Sequence, residues 1–134
     1  MLKVIVDTCI WSLALRRSRK SPGIFVRELK NLILDHRVQM MGPIRQEILS
    51  GIHDTDQFNK LKEYLDAFPD YPLETEDYVE SARYFNVCRS KGIQGSNTDF
   101  LICATSVRNR FSIFTRDKDF KRFAKYIPIT FHKP

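Results

Sequence analysis

Leu2-Lys3-Val4-Ile5-Val6-Asp7-Thr8 opens the chain with a short apolar run that ends on a carboxylate. Three consecutive apolar, β-branched residues read as a strand buried on both faces, the pattern of a parallel sheet. A second run, Ser112-Ile113-Phe114-Thr115, is followed two residues later by Asp117. A third, Val38 to Met41, leads through Gly42-Pro43 to Glu47, one helical turn on. Asp99 opens the apolar segment Phe100-Leu101-Ile102-Cys103-Ala104. If the runs are parallel strands of one sheet, all four acids lie beyond the strands' carboxyl ends, where open α/β sheets build their sites. Carboxylates gathered there repel one another unless protonated or bridged by a cation, so the pattern points to a metal site.

Between the strands the periodicity is helical. Phe25, Leu29, Leu32 and Ile33 share one helical face, as do Phe58, Leu61, Leu65 and Phe68, and then Tyr78, Ala82, Phe85 and Cys88. Pro43 suits the first turn of a helix, and Asp70-Tyr71-Pro72 ends one. Gly92 to Ser96 is a turn-rich loop before the Asp99 helix, which is apolar nearly all round and therefore expected in the core. Phe120, Phe123, Ala124 and Ile127 suggest a last short helix. Pro72 to Glu74 and Ile127 to Phe131 are candidate edge strands. Strands alternating with helices predict a three-layer α/β/α sandwich, Rossmann-like, with a parallel sheet of four to five strands and right-handed crossovers.

The 134 residues make a single domain, 1–134, the simplest expectation, with 43% hydrophobic residues to fill its core. No stretch is long and apolar enough for a membrane span, and Met1 leads straight into the first strand with no visible leader. Cys9, Cys88 and Cys103 are odd in number and unevenly spaced, which fits buried thiols in a reducing, cytoplasmic setting. His36, His53 and His132 match no ligand spacing. The net charge of +6 is unevenly distributed: Arg16, Arg17, Arg19 and Lys20 form one cluster, and Arg116, Lys118, Lys121, Arg122 and Lys125 another. A basic exterior around an acidic site suits a polyanionic substrate; a solvated surface is the plainer account.

Each acid has a structural reading beside the chemical one. Asp7 can cap the helix beginning near Cys9, and Asp99, three residues after Ser96, fits a capping box. Asp117 can cap the helix at Phe120, and Asp119 can complement its dipole. The conjunction argues for more. Two buried strands end in carboxylates, and no Lys or Arg lies within Val4 to Cys9 or Leu101 to Val107 to neutralise them. Oxygen donors without Cys or His partners favour Mg²⁺ or Mn²⁺ over Zn²⁺.

Val4-Ile5-Val6-Asp7-Thr8, Thr98 to Ala104 and Phe114-Thr115-Arg116-Asp117-Lys118-Asp119-Phe120 together resemble PIN-domain ribonucleases, and the small single-domain form is similar to the toxins of VapBC-type toxin–antitoxin pairs. The resemblance covers essentially the whole chain. It implies that Asp7, Glu47, Asp99 and Asp117 are a catalytic quartet holding Mg²⁺ or Mn²⁺, with Thr8, Thr115 and Asp119 in support. It also implies an RNA substrate, a VapB-type antitoxin and a homodimer. Arg116 and Lys118 are placed to touch the RNA backbone, or else decorate a helix start. The expected reaction is in-line hydrolysis leaving a 5′-phosphate and a 3′-hydroxyl.

Competing readings remain. A non-toxin RNA-processing nuclease shares these residues, and a PIN-like RNA-binding module would lack cleavage. A response-regulator receiver would pair acids after the first strand and carry a lysine after the last; this chain has Asp7 alone, and Lys133 only in its tail. Trp11, Leu13 and Leu15 are either core or a docking stripe for an antitoxin tail, and Tyr71, Tyr78, Tyr84 and Tyr126 could stack bases.

Overall fold

The structure, a computed structural model, describes residues 2–15 and 23–134; the first basic cluster, Arg16 to Lys20, lies outside the described residues. Strand β1 (Val4–Val6) is buried at every residue and lies between β2 (Val38–Gln39) and β3 (Ser112–Phe114), parallel to both. Burial on both faces accounts for its unbroken apolar sequence. Helices α1 (Thr8–Ala14) and α2 (Ile24–Leu34) connect β1 to β2. Helices α3 (Gly42–Leu49), α4 (Thr55–Leu65), α5 (Thr75–Ser90) and α6 (Asn97–Asn109) connect β2 to β3, and α7 (Asp119–Phe123) follows. The two crossovers step in opposite directions across the sheet, so right-handed connections bring helices to both faces, and α3 of the second crossover also packs against α1 of the first. That gives the three layers expected.

The sheet is smaller than the four to five strands anticipated: among the described residues it has three. Ile127 and Ile129 are buried, but their segment meets β3 through a single bridge, Ile113 with Phe131. Pro128 has no N–H to offer a ladder, and pairing is confined to Ile113 N–H on Thr130 O and His132 N–H on Ile113 O. Likewise Asp70 bridges Met40 alone, and the chain from Pro72 runs into the start of α5 without forming a strand.

Helix α6 is buried at Phe100, Ile102, Cys103, Ala104, Thr105 and Ser106, as its all-round apolarity predicts. It stops at Arg110, whose left-handed backbone (φ 58°) returns the Phe111 amide to Ser106 O and turns the chain into β3. The expected face of α5 is displaced. Tyr78 and Ala82 are exposed, and the buried positions are Asp77, Ser81 and Cys88. The Asp77 carboxylate is fully buried because it pairs with Arg108 of α6 and accepts from the Glu74 amide. An apolar period cannot reveal a face anchored by a charge. Trp11 and Leu13 belong to the core rather than to a docking stripe; the Trp11 indole N–H holds Val6 O at 3.1 Å, and Leu15 alone of the three is exposed.

Candidate active site

The carboxyl ends of β1 and β3 meet at the point where the strand order reverses, and the site is assembled there. The Asp7 amide continues the β1–β3 ladder, donating to Phe114 O at 2.9 Å, so the residue's position is fixed by the sheet. Its side chain is buried and fully engaged. One oxygen caps α1 through the Thr8 amide at 2.8 Å; the other accepts the Thr115 hydroxyl at 2.7 Å and faces the Cys9 thiol at 3.5 Å. Thr115 in turn accepts from the Asp117 amide at 3.0 Å, and Asp117 accepts from the Asp119 amide at 2.9 Å. A chain of hydrogen bonds thus binds the two strand-end loops together.

Glu47 approaches from α3, accepting the Thr8 hydroxyl at 2.6 Å. Asp99 sits in the first turn of α6 in a reciprocal capping box with Ser96, at 3.0 and 3.1 Å. The capping readings therefore hold for Asp7 and Asp99, and they coexist with a shared location. Asp7, Thr8, Glu47, Asp99 and Asp117 line one cleft of about 730 Å³. Cys9, Gln46, Ser50 and Thr98 also line it and were not singled out from sequence. Gln46 and Thr98 adjoin Glu47 and Asp99, Cys9 lies two residues past Asp7 and Ser50 three past Glu47, and that closeness in sequence was the available signal. Asp119 lies outside the cleft lining; its carboxylate is 4.0 Å from Arg122. Arg116 and Lys118 line the neighbouring cavity rather than this one. Of the tyrosines noted from sequence, none lines the cleft.

Among the described residues none of the four acids forms an ion pair. Burial pushes the Asp7 carboxyl above its ordinary value, against the hydrogen bonds from Thr115, Thr8 and Cys9, and the charge of Asp117 adds to the rise. Asp99 is raised in the same way, first by burial and further by the charges of Asp7 and Asp117, with Ser96 opposing. Burial and the nearby Asp7 charge raise the Cys9 thiol, which keeps it protonated rather than nucleophilic. The cleft is therefore an uncompensated concentration of oxygen donors, chemically suited to a hard divalent cation. Among the described residues no three His, Cys, Asp or Glu side chains already converge as a closed cage. A cation there would complete its shell with water, as Mg²⁺ commonly does.

With this geometry in view, the chain is similar to Ribonuclease VapC11 of Mycobacterium tuberculosis, at 28% identity over 126 residues covering 91% of this chain and 92% of that protein. Its fold is similar to that of FitAcB from Neisseria gonorrhoeae (TM-score 0.74, 21% identity, 96% of each chain). It also matches VapBC2 from Rickettsia felis, crystallised with a DNA fragment from its promoter (TM-score 0.72, 16% identity, 98% of each chain). The family model described as PIN domain matches residues 4–126, nearly the whole length, and the chain belongs to the PIN-domain family.

Proposed function

We propose that this chain is a metal-dependent endoribonuclease and the toxin of a type II toxin–antitoxin pair. The observation that carries the reading is the arrival of Asp7, Glu47, Asp99 and Asp117 from four separate segments at one cleft, none of them in an ion pair among the described residues. The name of VapC11 supports ribonuclease activity, and the VapBC likeness supports a VapB-type antitoxin as partner. A homodimer belongs to the same proposal.

Asp7, Glu47, Asp99 and Asp117 are the residues that would hold one or two Mg²⁺ or Mn²⁺ ions. Such ions, when bound, polarise a phosphate oxygen, lower the pKa of a coordinated water and steady the leaving oxygen. The chain's own part is orientation. Thr115 and the Thr8 amide fix the Asp7 carboxylate, Thr8 Oγ fixes Glu47, and the Asp119 amide fixes Asp117. Holding these groups in register removes reorganisation from the reaction.

In-line attack by water at phosphorus with loss of the 3′ oxygen breaks the P–O3′ bond and leaves a 5′-phosphate and, once that oxygen is protonated, a 3′-hydroxyl. RNA cut by the purified chain in Mg²⁺ is expected to accept adaptors that require a 5′-phosphate without prior kinase treatment. Fragments that ligate only after phosphorylation would contradict cleavage of the P–O3′ bond.

A further inference from the structure

Asp117 lines a second cavity as well, of about 500 Å³, so the two spaces meet at one side chain. Four cations, Arg116, Lys118, Lys121 and Lys133, line this second cavity, with Asp117 the one acid in its lining among the described residues. None of the four forms an ion pair with a described acid. Arg116 is instead held by an aromatic ring: its guanidinium lies 5.2 Å from the centroid of Phe25. Phe25 is in turn stacked on buried Phe114, at 5.9 Å and 29°. On the same side the His132 and Phe114 rings lie nearly perpendicular with centroids 5.5 Å apart, and the His132 ring is hydrogen-bonded to Glu28 of α2.

We propose that this cavity is a nucleotide subsite that receives one unpaired base and its flanking phosphates from an RNA strand whose neighbouring phosphate lies at the acids. The inference rests on the ribonuclease reading of the adjoining cleft. A guanidinium held over a ring by cation–π attraction keeps its full charge and offers a planar face, and single-stranded RNA is recognised by stacking on such planes. The lysines supply the sequence-independent attraction to phosphate. The cavity volume falls within the range of small-ligand sites. Phe25 acts here as a positioning residue for Arg116.

The test measures anisotropy of labelled homopolymeric octamers of A, C, G and U with full-length protein in Mg²⁺. The Asp99→Asn protein is the parent, so that bound RNA stays intact. Adding Phe25→Leu is expected to weaken binding about tenfold, the scale of one lost stacking contact, with melting used to verify the fold. Adding Lys121→Ala, an exposed position, is expected to weaken binding and to reduce the salt slope by about 0.7, the value for one single-strand phosphate contact. Phe25→Leu should leave that slope unchanged. Unchanged affinity in both variants, or a parent that binds none of the octamers, overturns the subsite and leaves the cavity to a polypeptide partner. Cleavage of the octamers by the Asp99→Asn parent, seen on a gel, contradicts the acid-site reading separately.

Discussion

Asp7 engages the Thr8 amide with one oxygen and the Thr115 hydroxyl with the other, and it remains a buried carboxyl beside other acids. Those hydrogen bonds favour the charged form, yet burial outweighs them, so the folded carboxyl titrates above its ordinary value of 3.8. The sign of the resulting pH dependence is fixed. An acid with a raised folded pKa adds stability below its ordinary value and loses that contribution as pH rises through the folded value. In chelator, the melting temperature of Asp7→Asn relative to the parent should therefore climb as pH is raised from about 4 toward neutrality. Added Mg²⁺ should stabilise the parent and not the variant. A variant that falls further below the parent as pH rises would show that Asp7 serves mainly as a helix cap. Glu28 has the opposite sign: its hydrogen bond with His132 holds its carboxyl below the ordinary value, so that contribution fades as pH falls through the folded value.

At the scale of elements, the loop before α6 decides where Asp99 stands. Gly95 packs so closely that an added Cβ would lie 2.6 Å from Phe123 and 2.9 Å from Phe100, both buried rings with little room to yield. Gly95→Ala is expected to cost on the order of 1–3 kcal/mol, the range for overpacking a core, and to slow RNA cleavage by displacing the Ser96–Asp99 capping box. A thermal melt and a cleavage assay measure both, and unchanged values would show that the loop adapts without moving Asp99. This constraint is invisible in the sequence, where Gly95 reads as one more turn residue. What could be read were the features with one physical cause: unbroken apolar runs for β1 and β3, the all-round apolar α6, and carboxylates at strand ends. What could not be read arose from contacts between distant residues. The buried face of α5 is set by the Asp77–Arg108 pair across two helices. Similarly, Arg45 is anchored by Leu65 O, Phe68 O and Asp70, which makes it a fastener between α3 and the end of α4 rather than part of the cleft.

At the scale of the whole molecule, a chain of net charge +6 gathers four acids at one end of the sheet, none of them ion-paired among the described residues. The strand order β2-β1-β3 is what makes this possible, because it opens a crevice between the ends of β1 and β3 and lets α3 and α6 each contribute one acid. The cations of Arg116, Lys118, Lys121 and Lys133 lie immediately beside it. A polyanion drawn to the basic rim would meet the acids only through a bridging cation, so activity should depend on metal as strictly as on the acids themselves. The direct measurement is incubation of total cellular RNA with the purified chain in Mg²⁺, in Mn²⁺ and in EDTA, beside folded Asp7→Asn. The account predicts discrete fragments in the two metals, none in EDTA, and a loss of about a hundredfold or more in the variant, the scale on which a group placed at the reacting centre acts. Cleavage that persists in EDTA, or that survives undiminished in Asp7→Asn, would contradict it.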